Sequence, residues 1–370
     1  MKFKTSQPEL SKALNYVSKA VTSRSTMPIL KGILLKVSPE GKLTMTASDL
    51  DLSIEKTIEV TDYEEGSIVL PAKLFSDIVR KLPNETISVN LGEYNNVSIT
   101  TSASDFKIIG MNADEFPDIG KVNENKKIKL NRETFREMIR KTSFAASLDE
   151  SKGVIVGVLI EMREGSVNMA ALDGFRMAVA TEKTENHEDT DIIIAARILN
   201  EINKIISESE DDESDIELIL DEKKAVIFTA DSRIVLRMIE GNFLKYRDLL
   251  PKEFKTTVNV DKNMLIDSIE RASLFAKEGR NNLIKLMIGG DSIRINSKSE
   301  AGNVNETVPV KKNGGDIEIG FNSKYLLDGL KAIKEDDIVM SFNTNVTPCI
   351  INPLGEENYT YLILPVRIMA

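Results

Sequence analysis

In this 370-residue chain any catalysis would have to use carboxylates, Lys, Ser or Tyr, because it holds one His, one Cys and no Trp. Zinc sites, Ser-His-Asp triads and Cys-His dyads therefore lack their parts. His187 sits in the polar run Thr184 to Asp191. Cys349 lies in an alternating stretch, Val346 to Ile351, where it reads as a small buried hydrophobe. Two groups of acids remain. Glu208, Glu210, Asp211, Asp212 and Glu213 could offer oxygens to a hard cation, but they lack the glycine and alternating spacing of a calcium loop and read as a solvated acidic loop. Asp49 and Asp51, in Ser48-Asp49-Leu50-Asp51-Leu52, could pair as acid and base, and alternation puts both on the solvent face of a strand. Neither group gives a catalytic residue or a metal ligand, no phosphate-cradling GxxxxGK[ST] loop is present, and no cofactor is expected.

The cations are more orderly. Leu70-Pro71-Ala72-Lys73-Leu74-Phe75-Ser76-Asp77-Ile78 is echoed by Ile194 to Ile202 and by Phe321 to Gly329. Lys73, Arg197 and Lys324 thus fall in register, 124 and then 127 residues apart. A second echo opens each third with a strand, an amphipathic helix and a Gly-punctuated strand pair, at Lys2 to Leu35, Lys127 to Ile160 and Thr256 to Ile288. Three similar domains follow, 1–120, 127–250 and 254–370, joined by charged linkers at Pro117 to Lys126 and Arg247 to Lys255. Strands alternate at Ile87/Val89/Leu91, Val97/Ile99, Ile216/Leu218/Leu220, Ile234/Leu236/Met238, Ile293/Ile295 and Ile338/Met340. Few helices among many hairpin-length strands predict an α+β fold with antiparallel sheets and the helices gathered on one face.

Charge sharpens that layout. The formal net charge is −10, which by itself opposes a protein that coats nucleic acid. The six predicted helices, 7–24, 71–81, 131–143, 195–207, 262–280 and 322–334, nevertheless sum to +10 and leave −20 on the rest. A basic helical lining with an acidic outside would hold a polyanion in one place only. A plain preference of Lys and Arg for helix surfaces and of Asp for loops gives the same count. With 41% hydrophobic residues and no apolar run near the roughly 20 needed to cross a bilayer, a globular, non-membrane protein is expected. The opening residues lack a signal peptide's unbroken apolar stretch, so a cytoplasmic location is expected.

Several segments carry a resemblance. Met1-Lys2-Phe3, Ser23 to Leu30, Ala171-Leu172-Asp173-Gly174-Phe175-Arg176-Met177-Ala178, Glu240-Gly241-Asn242-Phe243 with Tyr246-Arg247 and Leu250-Pro251, and Tyr361 to Arg367 resemble the bacterial DNA polymerase III beta subunits, the sliding clamps, along the whole chain. The resemblance implies the DNA clamp fold: three similar domains per chain, antiparallel sheets outside, and helices lining a central hole. Two chains would close head to tail into a homodimeric ring that slides on duplex DNA without sequence preference. As processivity factor the ring would tether the replicative polymerase alpha subunit, while the clamp loader and other clamp-binding-motif proteins share its cleft. No reaction is catalysed in the family; a separate loader spends the ATP.

Carried over by motif, the DNA-facing cations are Arg24, Lys73, Arg80 and Arg197. The partner-peptide cleft is Lys152, Ile155, Leu172, Gly174, Phe175, Arg176, Met177, Leu244, Leu249, Leu362, Ile363, Leu364, Pro365 and Val366. The subunit contact is Phe106 and Ile108 against Leu274 and Phe275. Leu172 stands where many members have Thr, Phe175 where His or Tyr is common, Leu244 where Pro is frequent, and Lys152 where Arg is usual, which predicts a greasier cleft. A repeat scaffold for proteins alone is the rival reading, opposed only by the helix charges and the resemblance.

Overall fold

Alternation settles most of the chain. Ile87, Val89, Val97, Ile99, Ile293, Ile295, Ile338 and Met340 are all fully buried along strands, each on the inward side that a period of two dictates. A computed structural model describes residues 1–22, 25–120, 126–185, 189–207, 215–229 and 231–368. Its strands form four antiparallel sheets of five, eight, nine and four strands, divided between two units. The first unit comprises residues 1–131 and 208–238, the second 132–207 and 239–370.

Six α-helices lie among the described residues: α1 (Gln7–Val17), α2 (Ala72–Lys81), α3 (Arg132–Thr142), α4 (Ala196–Ser207), α5 (Lys262–Ala276) and α6 (Ser323–Ala332). Side-chain oxygens start three of them. Ser6 accepts from the Glu9 N–H, Asp261 from Met264, and Asn322 from Lys324 and Tyr325. α1 ends at Val17 rather than at the expected 24, giving way to a 3-10 turn, Ser18–Ala20, where Ser18, Val21 and Thr22 are weak helix formers. α5 stops at Ala276 just before Gly279. In α6, Gly329 is required by proximity, since a Cβ there would lie 2.2 Å from the Tyr361 ring.

The middle third of the chain divides its strands between two sheets. In the eight-stranded sheet, Lys126–Leu130, Ile216–Leu220, Lys224–Phe228 and Ser232–Arg237 continue into Leu52–Glu59, Lys42–Ser48, Gly32–Val37 and Gly66–Pro71. In the nine-stranded sheet, Thr190–Ala195, Gly157–Arg163, Ser166–Leu172 and Arg176–Lys183 continue into Tyr359–Ile363 and the strands beyond it. The seams correspond. Ser53 pairs with Val235 in one, Met177 with Leu362 in the other. The hairpins beside the seams correspond as well, with Ser48 opposite Ser53 and Leu172 opposite Met177. Starting both strand sets at their glycines, Gly32 and Gly157, aligns Leu34 with Leu159 and Lys36 with Glu161.

Asp49 and Asp51 are not on a strand. They occupy the turn of the first hairpin, where Asp49 Oδ1 accepts from the N–H groups of Asp51 (3.0 Å) and Leu52 (2.7 Å) and Leu50 takes φ 78°. The carboxylate spent on the turn is not an acid-base partner. Cys349 is fully buried, as its alternating stretch predicts, and burial pushes its thiol pKa well above the ordinary value. The expected linker Arg247–Lys255 begins inside a 3-10 turn, Tyr246–Leu249, with Tyr246 buried.

Candidate functional site

The hairpin Ser166–Leu172/Arg176–Lys183 and its neighbour Tyr359–Ile363 place Leu172, Met177 and Leu362 on one face, because cross-strand partners share a side. With Leu159, Ala170, Val179, Ile193, Tyr246 and Ile350 they form an apolar cluster, against which Val154, Ile155, Phe243 and Leu250 pack half-buried. The rim is more open: Phe175 is 54% exposed, Leu244 and Leu249 50%, and Leu364 38%. Lys152 is exposed nearby in sequence to Ile155. Ile363 does not join the floor. Alternation turns it to the opposite face from Leu362, where it is fully buried. Pro365 and Val366 leave the strand for Ile317–Asn322, where the Val366 N–H donates to Gly320 O at 2.8 Å.

The turn at the groove's end repeats the geometry of the first hairpin. Asp173 Oδ1 accepts from Phe175 N–H (2.8 Å) and Arg176 N–H (3.1 Å), and Gly174 takes φ +94°. Arg176 is 8% exposed and fully engaged: Nε donates to Asp173 at 3.1 Å, Nη1 to Asp328 at 2.6 Å and Nη2 to Phe144 O at 2.9 Å. Its guanidinium lies 4.4 Å from the Tyr325 ring centre, and that ring stacks on Phe175 at 6.2 Å. Burial works against the charge of Arg176, but Tyr361, Asp328 and Asp173 outweigh it and leave the group more basic than usual. Arg176 therefore locks the turn.

The opposite wall was not legible as chemistry. Glu161, 9% exposed, accepts from the Tyr246 hydroxyl at 3.1 Å and from both terminal nitrogens of Arg247, Nη1 at 3.0 Å. Arg247 holds the Glu161 carboxyl below the usual carboxylate range. Tyr246 and Arg247 carry part of the resemblance in the sequence, whereas no pattern there singles out Glu161.

Of the DNA-facing set, Lys73 and Arg80 lie on the exposed side of α2, opposite buried Ala72, Phe75, Ile78 and Val79. Arg80 pairs with Asp77 at 2.5 Å. Arg197 is exposed on α4, and Arg24 lies outside the described residues, as do His187 and the acids 208–213. Ion pairing divides the helical cations into engaged and outward-facing ones. On α3, Arg132 and Lys141 are buried, Arg136 pairs with Glu133 at 2.9 Å, and Arg140 pairs with Glu137 at 2.6 Å. On α5, Lys262 donates to the Ile333 and Lys334 carbonyls, and Arg271 grips Glu306 at 2.6 Å. The second helix of each third keeps its registered cation outward: Lys73, Arg197 and Lys324 are all exposed. Among the described residues, no group of three or more His, Cys, Asp and Glu side chains could hold a metal ion.

The residues expected at the subunit contact lie on one sheet edge and on a helix beside another. Asp105–Ile109 is an edge strand of the five-stranded sheet; Phe106 and Ile108 share its inner side, opposite buried Ile99 and Val97, with Phe106 38% exposed and Ile108 buried. Ile109, on the other side of the strand, is 71% exposed. Leu274 is exposed on α5, and Phe275 lies half-buried beside Gly302, which opens the edge strand Gly302–Pro309 of the four-stranded sheet.

Comparison with known proteins accounts for the whole chain. Family models of the DNA polymerase III beta subunit match in order: the N-terminal domain over residues 1–120, the central domain over 129–245 and the C-terminal domain over 247–367. The beta sliding clamp of Staphylococcus aureus (strain Mu50) is 34% identical over 365 residues, 96% of each chain. The crystal structure of the DNA polymerase sliding clamp from Bacillus subtilis is 32% identical with a TM-score of 0.94, and that of the DNA polymerase III beta subunit from Thermotoga maritima is 30% identical with a TM-score of 0.92; both are covered in full, as is this chain. Three clamp domains in order, the sheet topology and full-length identity above 30% place the chain in the DNA polymerase III beta subunit family, the sliding clamps, which serve replication as non-catalytic processivity subunits.

Proposed function

We propose that two copies of this chain close head to tail into a ring around duplex DNA, and that the groove between Phe175 and Leu249 tethers the replicative polymerase. The observation that carries the tether is the floor: Leu172, Met177 and Leu362 are gathered on one face under a rim of half-exposed Phe175, Leu244, Leu249 and Leu364. Such a groove suits a short peptide bringing a Gln and aliphatic or aromatic anchors, the kind shared by the polymerase alpha subunit, the clamp loader and other clamp-binding proteins. Ring closure is supported by two of the sheet edges, with Phe106 on one and Leu274 and Phe275 beside the other. A heterologous contact must close on itself to avoid filaments, giving a dimer of about 82 kDa from the 41.2 kDa chain. Residues 1–120, 127–250 and 254–370 are its three domains, and the cytoplasm is its place of work.

Lys73, Arg80 and Arg197 would meet phosphates without reading bases, which suits sliding. Retention after loading on nicked circular against linear DNA tests this. A ring stays on the circle at high salt and leaves the linear molecule by its ends, whereas a phosphate-contact binder leaves both. Equal loss from both molecules would reject the ring and favour a scaffold for proteins alone. Leu274→Asp with Phe275→Asp is expected to leave a folded monomer, because a charge buried at the contact has no partner.

A further inference from the structure

One wall of the groove is a strap, residues 243–250, laid against the sheet that forms the floor. Leu244 and Leu249 stand half-exposed on either side of Tyr246, whose ring joins the floor cluster. Within the strap, the Tyr246 N–H donates to Leu244 O at 2.7 Å and the Leu250 N–H to Arg247 O at 3.3 Å. Wherever Tyr246 and Arg247 are held, Leu244 and Leu249 are therefore held too. What holds them is Glu161, two residues along its strand from Leu159 of the floor and on the same side. Its carboxylate takes the Tyr246 hydroxyl and, bidentately, the Arg247 guanidinium, which also lies 4.6 Å from the Tyr246 ring centre.

Among the described residues, the corresponding strap in the other unit makes no such clasp. Phe116 and Ile119 there match Phe243 and Tyr246 in spacing, Gly120 stands where Arg247 does, and Lys36 takes the place of Glu161. That strap is held through its backbone, Lys224 Nζ donating to Ile119 O at 2.8 Å and Arg233 Nη2 to Gly120 O at 2.6 Å. A strap can thus be fastened to a sheet without a buried carboxylate, so the Glu161 clasp is more than fastening requires.

We propose that Glu161 is a positioning residue for peptide recognition, fixing the strap through Tyr246 and Arg247 so that Leu244 and Leu249 face the groove. The proposal rests on the reading of the groove as a peptide site. The test uses the full-length protein and a fluorescein-labelled synthetic peptide carrying one Gln followed by Leu and Phe anchors, with affinity and dissociation rate read by anisotropy. Glu161→Gln should weaken binding about tenfold, mainly through faster dissociation. Arg247→Glu should do the same, and the exchange Glu161→Arg with Arg247→Glu should restore binding to within about threefold of the parent. Simple loss of packing would not be repaired by that exchange. Tyr246→Phe keeps the ring and removes one hydrogen bond, so a loss of about threefold is expected even if a charge variant fails to fold.

The control is Leu172→Ser with Met177→Ser, which strips the floor. If the control loses the peptide while Glu161→Gln and Tyr246→Phe bind within error of the parent, Glu161 does not position the wall and the proposal is overturned with the groove intact. If the control also binds like the parent, the groove reading falls and the proposal with it.

Discussion

The groove has a counterpart in the other unit, and the two differ almost entirely in side chains. Ser48 stands where Leu172 does, Leu50 where Gly174 does, Asp51 for Phe175, Ser53 for Met177 and Val235 for Leu362. Both hairpins turn on an aspartate whose Oδ1 accepts from the N–H groups two and three residues further on. In the counterpart, however, the Ser48 and Ser53 hydroxyls bond each other at 2.7 Å, Asp51 lies 4.0 Å from Arg237, and Pro117 to Ile119 close over a cavity of only about 60 Å³. An apolar anchor placed there would strip water from two hydroxyls and an ion pair without replacing their partners. Equivalent backbones thus carry two corresponding faces per chain, and composition makes only one of them apolar.

The comparison can be broken most sharply by making the groove resemble its counterpart. Leu172→Ser with Met177→Ser should cost peptide binding about 3 kcal/mol, more than a hundredfold, by removing central anchors, and titration calorimetry on the parent should find one peptide per chain. Two peptides per chain would mean the polar face also binds. Next in size is Arg176→Leu, which copies the counterpart's Leu52. Asp173 and Asp328 then lose their partner, and urea unfolding should show a loss of about 2–3 kcal/mol, with the peptide site disordered at Phe175.

A smaller effect separates the units by pH. Burial alone would raise Glu137, but hydrogen bonds from Arg140 and Lys334 bring its carboxyl from 4.5 down to about 2. A folded-state pKa below the unfolded one gives stability that is complete above pH 4.5 and is lost as pH falls toward 2. Screening leaves that contribution on the order of 1–2 kcal/mol. Glu40, Asp62 and Glu85, the lowered carboxylates of the other unit, are at the surface. Hydrogen exchange below pH 4.5 should therefore show the groove-bearing unit opening first, and Glu137→Gln should flatten the difference. The smallest effect concerns DNA. Lys73→Glu with Arg197→Glu should lower the slope of log affinity against log salt by about two, whereas Arg136→Gln on the ion-paired α3 should leave it unchanged.

Much of this was legible in the residues, for reasons that can be named. The registered cations Lys73, Arg197 and Lys324 predict equivalent helices because a repeat copies helix, cap and exposed face together. Side-chain pairing was not legible, since i,i+3 acids such as Glu133 and Glu137 look like ordinary helix surface until their neighbours are placed. Ile363 entered the cleft as part of a run, and a run along a strand always serves two faces. Glu161 was hidden because its partners lie 85 and 86 residues away, at a separation no local pattern spans.

Cys349 leaves the molecule a spectroscopist's convenience. The only sulfhydryl is enclosed in the nine-stranded sheet and held in its unreactive protonated form, so maleimide should ignore it in the folded chain. A cysteine introduced at an exposed position, such as Tyr94→Cys or Val346→Cys, could then be tagged alone without first deleting the native one. Once denaturant frees Cys349 it becomes its own reporter, scoring in a single labelling pulse the fraction of molecules whose sheet has come apart.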